Sequence, residues 1–408
     1  MSKIARWSTR AALALCGTLA GVLLMELGIR LLPPSSAAHL QFNSLQNVPN
    51  GLYMNDHKVA FRPTPGFLGT MKTPGNKVDI RINSLGLRGP EFQKDDRPVW
   101  LALGDSFTFA IQVAEEQSFV GLLSQELGVQ LLNAGSDGHG TEHELARFRQ
   151  LKKPLSPEVV VLVFFTGNDF QNNLNWRGAL AGAKKKPDQF VHMGEPKPPV
   201  RAFLNQNSLL WGMLQVYGRT EPKGKGQGKG QGKGKAKGQG QGKAKGQGKG
   251  KGQGQGQGKE KQDEMGGWRR DLSMFHRSGE GLLREGIEAT RKPMQELRDH
   301  VERQGGQLMV VVASPAFAIE DHRTTATFEL VGLPLKDKEL SAPERATLGL
   351  LEELNIPACP LDTALRQAHT DGERPYLAYD GHWSVLGHQI VAETIETCIG
   401  EHGLAPQR

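Results

Sequence analysis

The sequence predicts an α/β fold built on a parallel, doubly wound sheet, on three observations. Short apolar runs, of which Val159–Phe165 is the plainest, read as strands buried on both faces. Stretches with helical apolar spacing, such as 118–127 and 281–301, alternate with those runs. Gly, Asn and Asp gather where the runs end, which is the composition that turns at strand ends require.

The chain opens on Lys3, Arg6 and Arg10 and is then apolar from 11 to 25, continuing past Glu26 and Arg30 to Leu32. The first part suits a signal-peptide core, and the stretch to Leu32 is long enough to span a hydrocarbon layer of about 30 Å. Residues 1–33 are therefore read as an uncleaved transmembrane signal anchor; the small-residue site Ser36-Ala37-Ala38 stands far from the apolar core, and Leu15 ahead of Cys16 does not fit a lipoprotein signal. The basic flank keeps the N-terminus in the cytoplasm and places everything after Pro33 outside it, in a periplasm or at the cell surface.

Residues 34–94 are a small β-containing lead-in, where the alternation Val78, Ile80, Ile82 predicts a strand and Asn83-Ser84-Leu85-Gly86 ends it. From 95 the rhythm is regular: strand 99–103, helix 118–127, strand 129–132, helix 142–151, strand 159–165. It resumes within 263–402 with helix 281–301, strand 307–313, helix 342–354, a proline-interrupted strand 356–361 and a closing helix 384–399. The parts 95–222 and 263–402 thus build one sheet, with 171–217 and 317–340 as candidate roofs over its edge.

Between them, 223–262 repeats Lys-Gly and Gln-Gly with Ala236 and Ala244 as its only apolar residues. Such a segment buries nothing that offsets its ordering entropy, so disorder is predicted. A solvated linker is the favoured reading, and weak contact of the polycation with anionic lipid or polymer is the functional alternative. The net charge of +7 belongs to this insert, since 223–261 holds twelve Lys and one Glu and the remainder carries −4. A nucleic-acid surface on the folded part is accordingly not expected. Cys16 lies in the anchor; Cys359 and Cys398 are either a disulfide in an oxidising compartment or two buried thiols.

Four separated motifs fall at the carboxyl ends of predicted strands or just before helices: Gly104-Asp105-Ser106-Phe107, Asn133-Ala134-Gly135-Ser136-Asp137-Gly138, Thr166-Gly167-Asn168-Asp169 and Asp380-Gly381-His382-Trp383. In a parallel sheet those ends share one edge. A serine hydroxyl needs a base, and His382 supplies one; Asp380 can hold the imidazole in the required tautomer. The backbone amides of Ser106 and Gly138 and the side-chain amide of Asn168 are candidate donors to an oxyanion. No metal or cofactor is expected.

These residues resemble the SGNH/GDSL hydrolases, named for a Ser, a Gly, an Asn and a His in separate blocks, which here match Ser106, Gly138, Asn168 and His382 in family order. The resemblance covers roughly 95–400 apart from the insert and implies a three-layer, flavodoxin-like fold and a serine esterase acting through an acyl-enzyme. The anchor end Glu26-Leu27-Gly28-Ile29-Arg30 and the stretch 83–89 look like an exported bacterial subgroup. The commoner family pattern is Asp-x-x-His, whereas Asp380-x-His382-Trp383 resembles the exported alginate O-acetylation proteins. That likeness implies O-acetyl chemistry on a glycan, either hydrolysis or transfer to a polysaccharide hydroxyl. A non-catalytic glycan-binding or scaffold module is the alternative from another class, disfavoured because binding needs no nucleophile, base and oxyanion donors together.

Three rival readings are weaker. His139-x-x-Glu142-His143 has a spacing known from zinc peptidases, but the flanking Gly138 and Gly140 put His139 in a loop. His388 reads as a packing residue of the last helix. Asp321-His322 lacks the position of a base after the fifth strand.

Overall fold

The computed structural model describes residues 3–31, 48–73, 76–185, 189–191, 208, 210, 269–377 and 380–404. The predicted insert at 223–262 and the Ser36-Ala37-Ala38 site lie outside the described residues.

Helix α1 (Lys3–Arg30) is long and apolar enough over Leu13–Arg30 to cross a membrane, and its Leu13, Leu15, Leu19, Leu23 and Leu24 are exposed. The lead-in folds as two small antiparallel units. One joins β1 (Tyr53–Asp56) to β2 (Ala60–Pro63) and to β8 (Phe190–Val191); the other is the hairpin of β3 (Leu68–Thr73) and β4 (Asn76–Arg81). Val78, Ile80 and Ile82 are buried, as their alternation predicts, and Asn83 closes the turn by accepting from the Leu85 and Leu87 amides at 3.0 Å each.

The central sheet has five parallel strands in the order β10-β9-β7-β5-β6, comprising β5 (Val99–Gly104), β6 (Gln130–Asn133), β7 (Val159–Phe165), β9 (Gln307–Ala313) and β10 (Ala358–Pro360). Numbered along the sheet this is 2-1-3-4-5, the flavodoxin-like order, whose direction of winding reverses between β5 and β7. Strand period divides each apolar run between two cores. Val160, Leu162 and Phe164 join one, with α4 (Thr141–Leu155), α5 (Asp169–Lys185), α6 (Glu280–Glu302) and α9 (Ala342–Glu353). Val159, Val161 and Val163 join the other, with α3 (Phe119–Glu126), α10 (Asp362–Thr370) and α11 (Val385–Glu401). The result is a three-layer α/β/α sandwich, as the sequence predicts. Strand β10 is shorter than expected: Pro357 precedes it and Pro360 is its last residue, at the sheet edge, where a missing amide is tolerated.

The candidate roofs are partly helical: 171–185 continues α5, while 317–331 contributes to α7 (Ala316–Ile319) and α8 (Asp321–Val331), which ends on Gly332 at φ 67°. Cys359 of β10 and Cys398 of α11 are joined by a disulfide.

Candidate active site

Ser106 opens α2 (Ser106–Phe109) directly beyond β5, at the point where the sheet's winding reverses. Gly104 has φ 148°, and a Cβ there would lie 2.2 Å from Thr108 Oγ1 and 2.9 Å from the Val163 carbonyl oxygen, so the turn into Ser106 demands glycine. Asp105 caps the short helix, its Oδ1 accepting from the Phe107 amide at 2.9 Å. The buried Arg88 guanidinium donates to the carbonyls of Phe109 and Val113 at 2.6 Å each and to that of Ala110, which fixes the far side of the same turn.

His382 arrives from the other end of the chain. Its Nε2 lies 2.8 Å from Ser106 Oγ, across 276 positions of sequence. Asp380 engages the same residue twice: Oδ1 accepts from the His382 backbone amide at 3.0 Å, and Oδ2 stands 3.4 Å from Nδ1. The two-residue spacing is thereby accounted for, since Gly381 at φ 79° folds the loop tightly enough for one carboxylate to meet both backbone and ring. Trp383 anchors the loop from below, buried edge-on against Phe107 with ring centroids 4.8 Å apart, while the Phe107 ring lies 4.7 Å from that of His382.

The block containing Gly138 is drawn onto the nucleophile turn by the Ser136 amide, which donates to the Gly104 carbonyl at 3.1 Å, and by Asn133 Nδ2, which donates to the Thr108 carbonyl at 2.7 Å. Gly138 takes φ 72°, in the left-handed region. Among the described residues neither the Ser106 nor the Gly138 amide donates to a protein acceptor. Asn168 follows β7, and its side-chain amide faces the Asp105 carboxylate. Asp169 opens α5 and turns back, Oδ2 accepting from the Phe165 amide at 2.8 Å. All four sequence motifs therefore meet at one sheet edge.

Burial pulls the His382 imidazole down, but the carboxylates of Asp380, Asp105 and Asp137 together outweigh it and hold its pKa above the ordinary 6.5. Burial pushes Asp105 up to about 6, against the Phe107 amide and His382, and pushes Asp137 up to about 6, against His382 and the Tyr53 hydroxyl. Glu144 and Asp169 are raised further by burial and by the neighbouring negative charges.

The rival residues have other engagements. His388 Nδ1 accepts from the Phe119 amide at 3.3 Å, and burial holds it neutral with a pKa lowered to about 3. His322 lies 3.8 Å from Glu320. His139 is outside α4, with Nε2 2.9 Å from the Phe61 carbonyl oxygen, and His143 Nδ1 accepts from the Gly140 amide at 3.3 Å.

Sequence reasoning gave the lead-in no part in the site. Its Tyr53 is fully buried beside Asp137, its Phe61 meets the Gly138 loop, and its Arg88 braces the nucleophile turn. An arginine just beyond the Asn83 turn was the one visible sign, and nothing in its spacing assigns it a partner.

No family model matches the chain, and no curated protein matches it. Solved structures similar to it include a catalytic mutant of Axe2, an acetylxylan esterase from Geobacillus stearothermophilus, at 13% identity over 76% of this chain and 97% of that one, with TM-score 0.35. A lipolytic protein of G-D-S-L family from Desulfitobacterium hafniense DCB-2 is 12% identical over 74% of this chain and 98% of its own, with TM-score 0.35. LAE5, an alpha/beta hydrolase enzyme from the metagenome of Lake Arreo, Spain, is 13% identical over 74% of this chain and 95% of its own, with TM-score 0.37.

Proposed function

We propose that this chain is a membrane-anchored serine esterase of the SGNH type. The observation that carries the reading is the 2.8 Å contact of His382 Nε2 with Ser106 Oγ, with Asp380 on the opposite ring nitrogen. Ser106 Oγ attacks the ester carbonyl as His382 takes its proton, and Asp380 stabilises the imidazolium without itself becoming protonated. The tetrahedral oxyanion is received by the Ser106 and Gly138 amides with the Asn168 side chain. Collapse returns the proton from His382 to the leaving alcohol, leaving an acyl-Ser106. Water, activated by the same imidazole, then releases the acid.

The Asp380-x-His382-Trp383 loop, resembling that of alginate O-acetylation proteins, favours an O-acetyl group on a cell-surface glycan as the ester. Transfer of the acetyl group to a sugar hydroxyl is the second reading; it differs in the acceptor alone. Export is supported by α1 and by the Cys359–Cys398 disulfide, a bond that persists in oxidising compartments.

A fluorophosphonate probe applied to the detergent-solubilised full chain tests the mechanism. Covalent labelling at Ser106, lost in Ser106→Ala, is expected. An unlabelled Ser106 in protein shown to be folded by its cooperative melt would overturn both acyl readings. Acetate released from acetylated oligosaccharide, measured against acetyl groups gained by an added unacetylated one, separates hydrolysis from transfer.

A further inference from the structure

The hairpin of β1 and β2 precedes every motif of the site, yet it reaches the oxyanion side of it. A Cβ built on Gly138 would find one heavy atom within 4 Å apart from its chain neighbours, Cζ of Phe61 at 3.6 Å. Among the described residues, the space on that side of Gly138 is bounded by the tip of a single aromatic ring. Phe61 is half-buried.

The ring is also held. It sits edge-on to His139 at 5.1 Å, to His143 at 5.9 Å and to the buried Tyr53 at 6.2 Å between centroids. The Phe61 carbonyl oxygen lies 2.9 Å from His139 Nε2, which ties the strand's backbone to the residue next to Gly138. A ring packed on three others, on a strand tethered to the loop it abuts, is a fixed wall; swinging it aside breaks those contacts.

We infer that Phe61 closes the acyl pocket beside Gly138 and restricts the enzyme to short acyl groups, acetyl above all. The inference rests on the esterase reading, because it takes the acyl carbonyl oxygen to sit on the Ser106 and Gly138 amides. The carbon chain attached to that carbonyl then extends alongside Gly138 into the space that the Phe61 ring ends. Phe61 Cζ stands 3.6 Å from where a Gly138 Cβ would lie, so a methyl-sized group fits there in ordinary contact with the ring. Each further methylene needs about 4 Å of clearance from the ring carbons, which the ring withholds.

The test compares kcat/KM for p-nitrophenyl acetate, butyrate and octanoate in the full-length protein and in Phe61→Ala, Phe61→Leu and Phe61→Trp. Wild type is expected to prefer acetate. The octanoate-to-acetate ratio should rise about 10-fold or more in Phe61→Ala, rise less in Phe61→Leu, and fall in Phe61→Trp, because one methylene in an apolar pocket discriminates by about 10- to 200-fold. A general loosening of the hairpin cannot move the ratio in opposite directions for smaller and larger side chains. A ratio unchanged across the three variants while Ser106 still labels would overturn the inference and leave the esterase reading standing. A folded wild type whose Ser106 does not label removes the esterase reading itself, and this one with it.

Discussion

Burial lowers the His382 pKa while the carboxylates of Asp380, Asp105 and Asp137 raise it, and the balance lies above 6.5. His382 must be neutral to take a proton, so kcat/KM is expected to fall as pH drops through a value above 6.5. The sign for stability is opposite. A raised folded pKa contributes stability that is fully present below the unfolded value and is lost as pH rises through the folded one. Activity should therefore rise over the window in which this contribution declines, and a pH–rate profile run beside a pH–melting series checks both. Asp380→Asn should lower kcat by about 10²–10⁴-fold through loss of ring orientation, and also move the acid limb to lower pH, since it deletes the largest charge that raises His382. A fall in rate with an unmoved limb would deny Asp380 its role. Asn168→Ala should cost about 10²–10³-fold in kcat if its amide serves the oxyanion, read against an unchanged extent of Ser106 labelling at saturation. Ser106, Gly138, Asn168 and His382 stand out in the sequence because their motifs fall at the carboxyl ends of predicted strands or just before a helix. The Asp105, Glu144 and Asp169 grouping was not, because an isolated acidic residue in sequence carries no sign of being fully buried.

Among the elements, those read correctly are the ones whose apolar period is long or strong. Val159–Phe165 is buried at every position, and α6 buries Leu283, Met294, Leu297 and Val301 at helical intervals. Helices α8 and α10 are not legible in the sequence. The α8 sequence Asp-His-Arg-Thr-Thr-Ala-Thr-Phe-Glu-Leu-Val has adjacent threonines and little one-sided apolar character, and α10 follows at once on a strand that prolines had already blurred. The lead-in was legible as strand but not as part of the site, since its contacts with 138–143 are tertiary and leave no period in either segment. The Cys359–Cys398 bond settles at the element level what spacing left open: it ties edge strand β10 to α11, the helix that begins three residues after His382. Replacing both cysteines by serine is expected to lower unfolding stability by about 2–4 kcal/mol, measured by urea denaturation at fixed pH. A midpoint unchanged from that of the oxidised parent would show that the bond does not constrain the unfolded chain.

At the scale of the whole molecule, charge and cysteine chemistry give one account of where the chain resides. The basic residues Lys3, Arg6 and Arg10 stand in the first turns of α1, ahead of its apolar stretch, the folded remainder is mildly acidic, and the twelve lysines of 223–261 follow on the far side of the helix in sequence. The positive-inside bias counts residues close to a span and lets distant segments translocate largely regardless of charge, so the lysine-rich insert does not oppose export of the domain. It holds Ala236 and Ala244 as its only apolar residues, and deleting 223–261 is expected to leave turnover of p-nitrophenyl acetate unchanged, while a large loss would assign the insert a part in the site. Orientation can be read from thiols without any assumption about substrate. Cys16 is free within the helix, whereas Cys359 and Cys398 are paired and buried. If the domain lies outside the cytoplasm, a polymer-linked maleimide added to denatured full-length protein from whole cells should mark one cysteine before reduction and three after it. Removing residues 1–33 keeps the chain in the reducing cytoplasm, where its remaining two cysteines should react without a reductant. Three reactive thiols in the unreduced full-length chain would place the domain on the cytoplasmic side and overturn the export reading, while leaving the arrangement of Ser106, His382 and Asp380 untouched.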